Sequence, residues 1–473
     1  MRIPRAARLP WPLLAVLAVQ AALSASMVRT STAFGDEALY LSAGHLEWSH
    51  WLHGTPIPDY QNYFSGAPVL YPPIGAIADS LGGLAAARLL SLIVMLGVTS
   101  LVWCTANRLL TDERAAFFAA ALFAVLAPTL HLGSFATYDA TALLLLAAAA
   151  WCAAGIRGGR RTWGWMIAAG ILLALANATK YATTLYDPSV LGVAMLSSWP
   201  EAGWKAALRR AALLAGVAAA VIAVLLALGG PGYLTGIRIT TTGRVDGVNG
   251  ASLVFGDAWS WTAVVLVPAV AGAAVSALRR RWPQALLLAV LALSALLAPA
   301  DQARIQTVTS LDKHVDFGAW FAAIAAGYLL SLLSRRRIVL AAALAAIIPV
   351  TSMGMAQARD MIDWPDVTGL VKVVRPLTAH GGHFLVETTD VLQYYLPNTS
   401  WRQWSNTQIS NPEYYRQAIA RHYFSVIVLG FNQTPAMDYV IGLDLSSIGG
   451  YRLVAEVPAG NTVFYVWEYM GRV

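Results

Sequence analysis

The sequence is poor in charged residues. Asp, Glu, Lys and Arg make up only 12% of its 473 residues, whereas soluble globular chains carry about 25%. Hydrophobic residues make up 58%, and the mean hydropathy is +0.58. This composition excludes an ordinary soluble protein and indicates that lipid is the main solvent. The net charge of +7 comes from short arginine clusters between apolar runs, a pattern typical of membrane topology and not of nucleic-acid binding.

Cysteine is almost absent. The two cysteines, Cys104 and Cys152, both lie inside apolar runs, which excludes a disulfide framework and favours a packing role. A cleavable signal is also missing, because the first apolar run, residues 9–28, has no small-residue cleavage site and further runs follow. We therefore expect this run to remain as the first membrane helix.

Eleven apolar runs are close to the length of about 20 residues that spans a bilayer. They cover residues 9–28, 82–107, 115–132, 137–156, 162–178, 182–198, 211–229, 259–278, 282–299, 315–333 and 338–355. The sequence thus predicts a polytopic α-helical membrane protein with about 11 transmembrane helices in a domain of residues 1–355. Its first outer loop is long and covers about 29–81.

The distribution of cations predicts the orientation. With the N-terminus in the cytoplasm, the cytoplasmic segments hold 17 of the 32 Lys and Arg residues and the opposite loops hold seven. This asymmetry follows the positive-inside rule at every turn. The cytoplasmic set is Arg2, Arg5, Arg8, Arg108, Arg114, Arg157, Arg160, Arg161, Lys205, Arg209, Arg210, Arg279, Arg280, Arg281, Arg335, Arg336 and Arg337. We expect a multi-pass inner-membrane protein whose C-terminal domain is extracytoplasmic.

Residues 356–473 predict a small soluble α/β domain. Polar and apolar residues mix here, and the segments 383–388, 424–430, 451–457 and 462–469 are typical of strands. A helix is predicted from Pro412 to Arg421 with Asn411 as its N-cap.

Two acidic residues stand at the start of the first outer loop. Asp36 and Glu37 follow Gly35 and precede the segment ALYLSAGHLEW, which is typical of a short amphipathic helix on a membrane surface. A purely structural interpretation is equally available, because acidic residues stabilise a helix N-terminus by about 0.3–1 kcal/mol. The alternative is a catalytic carboxylate.

Other polar residues occur at the predicted outer ends of the spans. Asp139 begins the fourth span, and ionisable groups at membrane depth are candidates for function. Lys180 and Asp187 are seven residues apart and could share a helix face. The remaining outer cations that could surround a phosphate are Arg238, Arg244, Arg304, Lys313 and His314. His45, His50 and His53 do not have the spacing of a zinc site.

Taken in order, these features resemble the membrane-embedded C-type (GT-C) glycosyltransferases. The resemblance rests on the Asp36-Glu37 pair, the later Pro72-Pro73, the segment AAARLLSLIVMLG at 85–97, Asp139 and Lys180. It covers about residues 1–335. The most similar branch contains the protein O-mannosyltransferases and the lipid A aminoarabinose transferases.

The resemblance implies a GT-C fold and inverting transfer of a sugar from a polyprenyl-phosphate donor to an acceptor hydroxyl on a lipid, glycan or protein. It implies that Asp36 is the general base, that Glu37 supports it and that Asp139 positions a substrate. It also implies that Lys180, Arg238, Arg244, Lys313 and His314 are the candidates for binding the lipid phosphate. Some relatives use a divalent metal, which this sequence does not demand.

One position departs from the family pattern. The aminoarabinose branch typically has Lys before the Pro-Pro, and this chain has Tyr71, which favours a neutral hexose or pentose as the donor sugar.

Two other classes of function remain open, a transporter and a non-catalytic scaffold. A transporter or flippase usually shows internal repeats, and none is evident. A scaffold would depend on outer-domain aromatics, for which a role in the domain core is the simpler interpretation; these are Tyr394, Tyr395, Trp401 and Trp404.

Overall fold

The structure is a computed structural model that describes residues 10–156 and 162–471. Six of the predicted cytoplasmic arginines lie outside the described residues; these are Arg2, Arg5, Arg8, Arg157, Arg160 and Arg161. The helices up to residue 360 are α1 (Trp11–Ala25), α2 (Gly35–His53), α3 (Tyr71–Leu110), α4 (Glu113–Ala124), α5 (Ala127–Leu132), α6 (Tyr138–Ala153), α7 (Thr162–Thr179), α8 (Asp187–Ala202), α9 (Trp204–Gly229), α10 (Pro231–Thr240), α11 (Ala251–Leu278), α12 (Trp282–Leu293), α13 (Leu297–Arg304), α14 (Leu311–Leu333) and α15 (Arg337–Asp360).

The C-terminal part alternates helices and strands. Its elements are α16 (Thr368–Thr378), β1 (His383–Val386), α17 (Thr389–Tyr395), β2 (Trp404–Asn406), α18 (Pro412–Ala420), β3 (Phe424–Leu429), α19 (Pro435–Ile448), β4 (Tyr451–Ala459) and β5 (Thr462–Tyr469). Single-turn 3₁₀ helices cover Tyr60–Asn62, Ser294–Leu296 and Trp401–Gln403, and a longer one covers Tyr181–Tyr186.

The predicted apolar runs coincide with helices. Each of the eleven falls, within the described residues, on one helix or on two or three consecutive helices. Seven helical segments in the described part of the chain are long and apolar enough to cross a membrane, and α1 and α6 are shorter apolar helices. The two remaining runs are broken: residues 115–132 fall on α4 and α5, and residues 182–198 begin in a 3₁₀ helix. The expected polytopic helical architecture is confirmed.

A glycine pair divides α3 into two segments. Gly83 has a φ of 65°, and neither it nor Gly82 has helical backbone angles. A positive φ is readily adopted by glycine and costs other residues free energy. The predicted span at 82–107 therefore begins at this break, and residues 71–81 form a separate helical segment before it.

The chain forms two compact units. The described residues of Met1–Val28 and His53–Met361 form the first unit, and those of Arg29–Leu52 and Ile362–Val473 form the second. Most of α2 thus packs with the C-terminal domain, although chain order places it between the first two spans. The central helix of the first unit is α14. In an apolar stretch of 18 residues of this helix, 83% of the residues are buried. The helix packs against α3, α4, α11 and α12.

The second unit contains a five-stranded sheet with the order β2-β1-β3-β5-β4. Strands β2, β1 and β3 are parallel, and β5 pairs antiparallel with both β3 and β4. The four predicted strands are confirmed, and so is the helix capped by Asn411, whose side chain accepts from the Glu413 N–H. The prediction missed β2 and α17, which are short, and α19, which lacks a clear apolar period. It also missed α16, although Leu370, Val371 and Val374 have the spacing of an amphipathic helix.

Candidate active site

The segment before α2 is held by hydrogen bonds within the second unit. Trp364 Nε1 donates to the Thr32 carbonyl oxygen at 2.9 Å, and the Ala33 N–H donates to the Tyr395 hydroxyl at 2.8 Å. Glu37 is buried, and its Oε2 accepts from the Phe34 N–H at 3.0 Å. Glu37 therefore fixes the first turn of α2, and this turn sets the position of Asp36.

Asp36 is half-buried and lines a cavity of about 320 Å³ that lies entirely within the second unit. We call it the carboxylate cavity. The other lining residues are Ala33, Phe34, Gly35, Leu39, Trp364, Pro365, Val367, Leu370, Val386, Glu387, Thr388, Asp390, Val391, Leu392, Gln408, Val428, Asn432, Gln433 and Phe464. A carboxylate in such a place is both held in position and accessible to a small ligand.

Asp390, in the first turn of α17, is a second carboxyl group of this cavity. Burial and the nearby charge of Asp36 raise the pKa of Asp390 to about 6. Asp390 is not among the residues that the sequence predicted for a site. The available signal was an acidic residue just after a predicted strand, since the carboxyl ends of parallel strands are where open α/β sheets bind ligands.

Glu387, directly after β1, organises the loop that follows β3. Its Oε1 accepts from the backbone N–H groups of Asn432 and Thr434, both at 2.8 Å, and from that of Gln433. The Glu387 side chain is 5% exposed, so these bonds offset the cost of burying its charge. The result is a fixed rim at Asn432 and Gln433, both of which line the cavity.

In the first unit, Asp139 and Lys180 form a buried ion pair. Lys180 Nζ contacts Asp139 Oδ1, and Thr137 Oγ1 donates to Asp139 Oδ2 at 2.9 Å. Asp139 is 1% exposed and Lys180 is 3% exposed. The loop at Lys180 is fixed by its backbone, because the Tyr181 N–H donates to the Ser65 carbonyl at 2.8 Å.

Other basic residues lie near this ion pair. Lys313 and His314, in the first turn of α14, are within electrostatic range of Asp139, and Arg244 is within range of His314. Lys313 is 4% exposed, and its Nζ lies 5.5 Å from the ring centroid of Phe135. We call Asp139, Lys180, Arg244, Lys313 and His314 the basic cluster. Five of the predicted substrate-binding residues are thus brought together.

Other predicted residues are placed differently. Lys180 does not pair with Asp187, which instead accepts from Asn177 Nδ2 at 3.0 and 3.1 Å. The assumption of a shared helix face fails because residues 181–186 form a 3₁₀ helix between α7 and α8. Arg238 is exposed in the last turn of α10. Tyr71 is buried at the first position of α3.

Within residues 10–156 and 162–471, no group of three or more His, Cys, Asp or Glu side chains has an arrangement that could hold a metal ion. Cys104 and Cys152 are free thiols. The candidate site residues are carboxylates in the second unit and basic side chains in the first.

Comparison with known families gives a match to part of the chain. The family model of dolichyl-phosphate-mannose-protein mannosyltransferases matches residues 74–228. No curated protein matches the sequence.

Solved structures match over almost the whole chain. ArnT from Cupriavidus metallidurans in its apo state is 14% identical, with a TM-score of 0.62, and the match covers 96% of this chain and 97% of that chain. The oligosaccharyltransferase AglB from Archaeoglobus fulgidus, solved with an inhibitory peptide and a dolichol-phosphate, is 14% identical with a TM-score of 0.59 and coverages of 96% and 74%. The mycobacterial arabinofuranosyltransferase AftD is 15% identical with a TM-score of 0.61 and coverages of 100% and 40%.

These similarities show that the chain has the GT-C fold of membrane-embedded glycosyltransferases. The fold that the resemblance implies is therefore confirmed. The same ArnT has also been solved with undecaprenyl phosphate bound, and that structure matches with a TM-score of 0.61 and 13% identity.

Proposed function

We propose that this protein is an inverting glycosyltransferase that moves a sugar from a polyprenyl-phosphate carrier to an acceptor hydroxyl on the outer face of the membrane. The observation that carries the proposal is the position of Asp36. A general base must be held in place and yet be reachable by substrate. Asp36 meets both conditions, because hydrogen bonds fix the segment before it and its side chain lines the carboxylate cavity.

The reaction proceeds by one displacement. The acceptor oxygen attacks the anomeric carbon of the donor sugar from the face opposite the phosphate, and its proton passes to Asp36. The bond between the anomeric carbon and the phosphate oxygen breaks, and the polyprenyl phosphate leaves with the bonding electron pair. The products are the glycoside with inverted configuration and the free lipid phosphate.

The basic cluster binds the lipid phosphate. Negative charge accumulates on this phosphate as its bond to the sugar breaks, and fixed cations lower the barrier by stabilising that charge. Lys180 and Lys313 are buried, so their charges are screened less by solvent than those of exposed lysines. Arg238 is exposed and is the weakest of the candidates that the sequence suggested.

The donor sugar is a neutral hexose or pentose. Tyr71 stands where the aminoarabinose branch has Lys, and this residue is buried at the start of α3. The ArnT structure with undecaprenyl phosphate and the AglB structure with a dolichol-phosphate support a polyprenyl carrier for this chain.

Replacement of Asp36 tests the base. In Asp36→Asn we expect transfer to fall by about 10²–10⁴-fold, because the amide cannot accept the proton. The full chain is reconstituted in liposomes with a panel of radiolabelled polyprenyl-phosphate sugars (mannose, glucose, galactose and arabinofuranose) and with membrane extract from cells lacking the protein as acceptor. Asp363→Asn is the matched control, since Asp363 is an exposed carboxylate of the same unit.

Two results would contradict the proposal. One is full transfer by Asp36→Asn when its expression and melting temperature equal those of the wild type. The other comes from cells that lack the protein: lipid extracts with no accumulated polyprenyl-phosphate sugar, together with an unchanged set of surface glycans.

A further inference from the structure

We propose that the carboxylate cavity is the acceptor site and that its ligand is a neutral glycosyl unit. This inference rests on the proposed function, because it assigns the acceptor of that reaction. It makes the acceptor a glycan, and it excludes a serine or threonine hydroxyl of a protein. The placement, the side chains and the charge of the cavity each support this assignment.

The cavity lies where open α/β sheets bind their ligands. Strand β1 lies between β2 and β3, so the chain leaves β1 toward one side and later returns to its other side. Ligands bind outside the carboxyl ends of the strands at such a switch point. Residues that follow each of the three parallel strands line the cavity: Glu387 and Thr388 after β1, Gln408 after β2, and Asn432 and Gln433 after β3.

The side chains suit a small polyhydroxyl ligand. Phe34 and Trp364 form an aromatic pair with ring centroids 5.1 Å apart, and both line the cavity together with Phe464. Carboxylates accept hydrogen bonds from hydroxyl groups, and primary amides both donate and accept. An apolar wall with a few oriented polar groups is the common composition of ligand sites, and about 320 Å³ lies at the small end of their size range.

The charge of the cavity selects against anions. Three carboxyl side chains line it, those of Asp36, Glu387 and Asp390, and no Lys, Arg or His is among its lining residues in the described part of the chain. A phosphate or a uronate would be repelled, because like charges at short distance cost free energy in a partly buried site. The ligand of the carboxylate cavity is therefore an uncharged sugar and not the lipid phosphate of the donor.

Binding of simple glycosides to the full chain tests this inference. The detergent-solubilised protein is studied by saturation-transfer NMR with methyl α-mannopyranoside, methyl β-galactopyranoside, methyl α-arabinofuranoside and methyl β-glucuronide. We expect at least one neutral glycoside to bind, and we expect the glucuronide to bind at least tenfold more weakly.

A pair of tryptophan substitutions locates the site. Gln433→Trp fills the rim of the cavity from an exposed position and should abolish the glycoside signal. Gln417→Trp, on the exposed face of α18, is the matched control and should retain it. Asp390→Asn keeps the size of the side chain and should weaken binding at least threefold, because an ionised carboxylate accepts stronger hydrogen bonds from hydroxyl groups.

The outcomes separate this inference from the proposed function. No binding of any neutral glycoside, equal binding of the glucuronide, or an unchanged signal in Gln433→Trp would overturn the acceptor site, even if Asp36→Asn abolishes transfer. If Gln433→Trp alone loses glycoside binding but no polyprenyl-phosphate sugar is ever transferred, the proposed reaction is wrong and the cavity remains a glycan-binding site.

Discussion

Lys180 and Asp139 are nearly fully buried in the first unit and contact each other directly. Taking two charges out of water costs free energy that their attraction repays only with good geometry, whereas removing one partner leaves the other uncompensated. The ion pair therefore has a structural consequence that must be separated from its proposed role in substrate binding.

For these two residues, a double substitution distinguishes the effect on stability from the effect on substrate binding. We expect Lys180→Met to destabilise the protein by about 3–5 kcal/mol, because the Asp139 carboxylate stays buried without its partner. Lys180→Met combined with Asp139→Leu should recover most of the melting temperature in detergent and still fail to transfer sugar. The exposed Lys205→Met is the control for loss of a lysine. A wild-type melting temperature in Lys180→Met would contradict the structural role of the ion pair. Sugar transfer by the stable double variant would contradict its role in substrate binding.

At the scale of elements, close helix packing in the first unit depends on small residues. Gly327 of α14 lies against α4, where an added Cβ atom would be 2.3 Å from the Ala115 carbonyl oxygen and 2.9 Å from the Ala119 Cβ atom. Small residues allow membrane helices to approach this closely. The contact helps to explain why α14 can occupy the centre of the unit.

We expect Gly327→Ala to destabilise the first unit by about 1–3 kcal/mol, because the new methyl group meets backbone atoms that cannot move aside freely. The measurement is the thermal unfolding of the purified protein in detergent. Gly256→Ala in α11 is the matched control, since nothing lies within 4 Å of its added Cβ atom, and it should be neutral or slightly stabilising. Equal melting temperatures for the two variants would show that α14 and α4 do not pack as described.

At the scale of the whole molecule, the distribution of cations predicts which side of the membrane each segment faces. We expect Ser446→Cys, exposed on α19, to react with a membrane-impermeant maleimide at the outer face of intact cells or spheroplasts. Arg279→Cys, exposed after α11, should react only after permeabilisation. The native thiols give little background because Cys152 is buried and Cys104 is partly buried. The reverse labelling pattern would place the carboxylate cavity on the cytoplasmic side.

Local patterns in the sequence specify much of the secondary structure and several candidate site residues. The eleven apolar runs and the four longer strands were predictable, because hydrophobic length and alternation are local properties that burial imposes on each segment. The GT-C resemblance followed from the order of Asp36, Pro72-Pro73, Asp139 and Lys180 along the chain. Asp36 and the members of the basic cluster were also identifiable as candidates, because polar residues at the ends of spans are costly and so stand out.

The surroundings of these residues depend on the tertiary fold. It paired Lys180 with Asp139 and Asp187 with Asn177, although spacing along the chain suggested a different pair. It also joined the segment at Ala33 to residues more than 300 positions later, through Trp364 and Tyr395, and so placed Asp36 and Asp390 in one cavity. Contacts between segments so distant along the chain depend on how the elements pack, and no local period or composition records that packing.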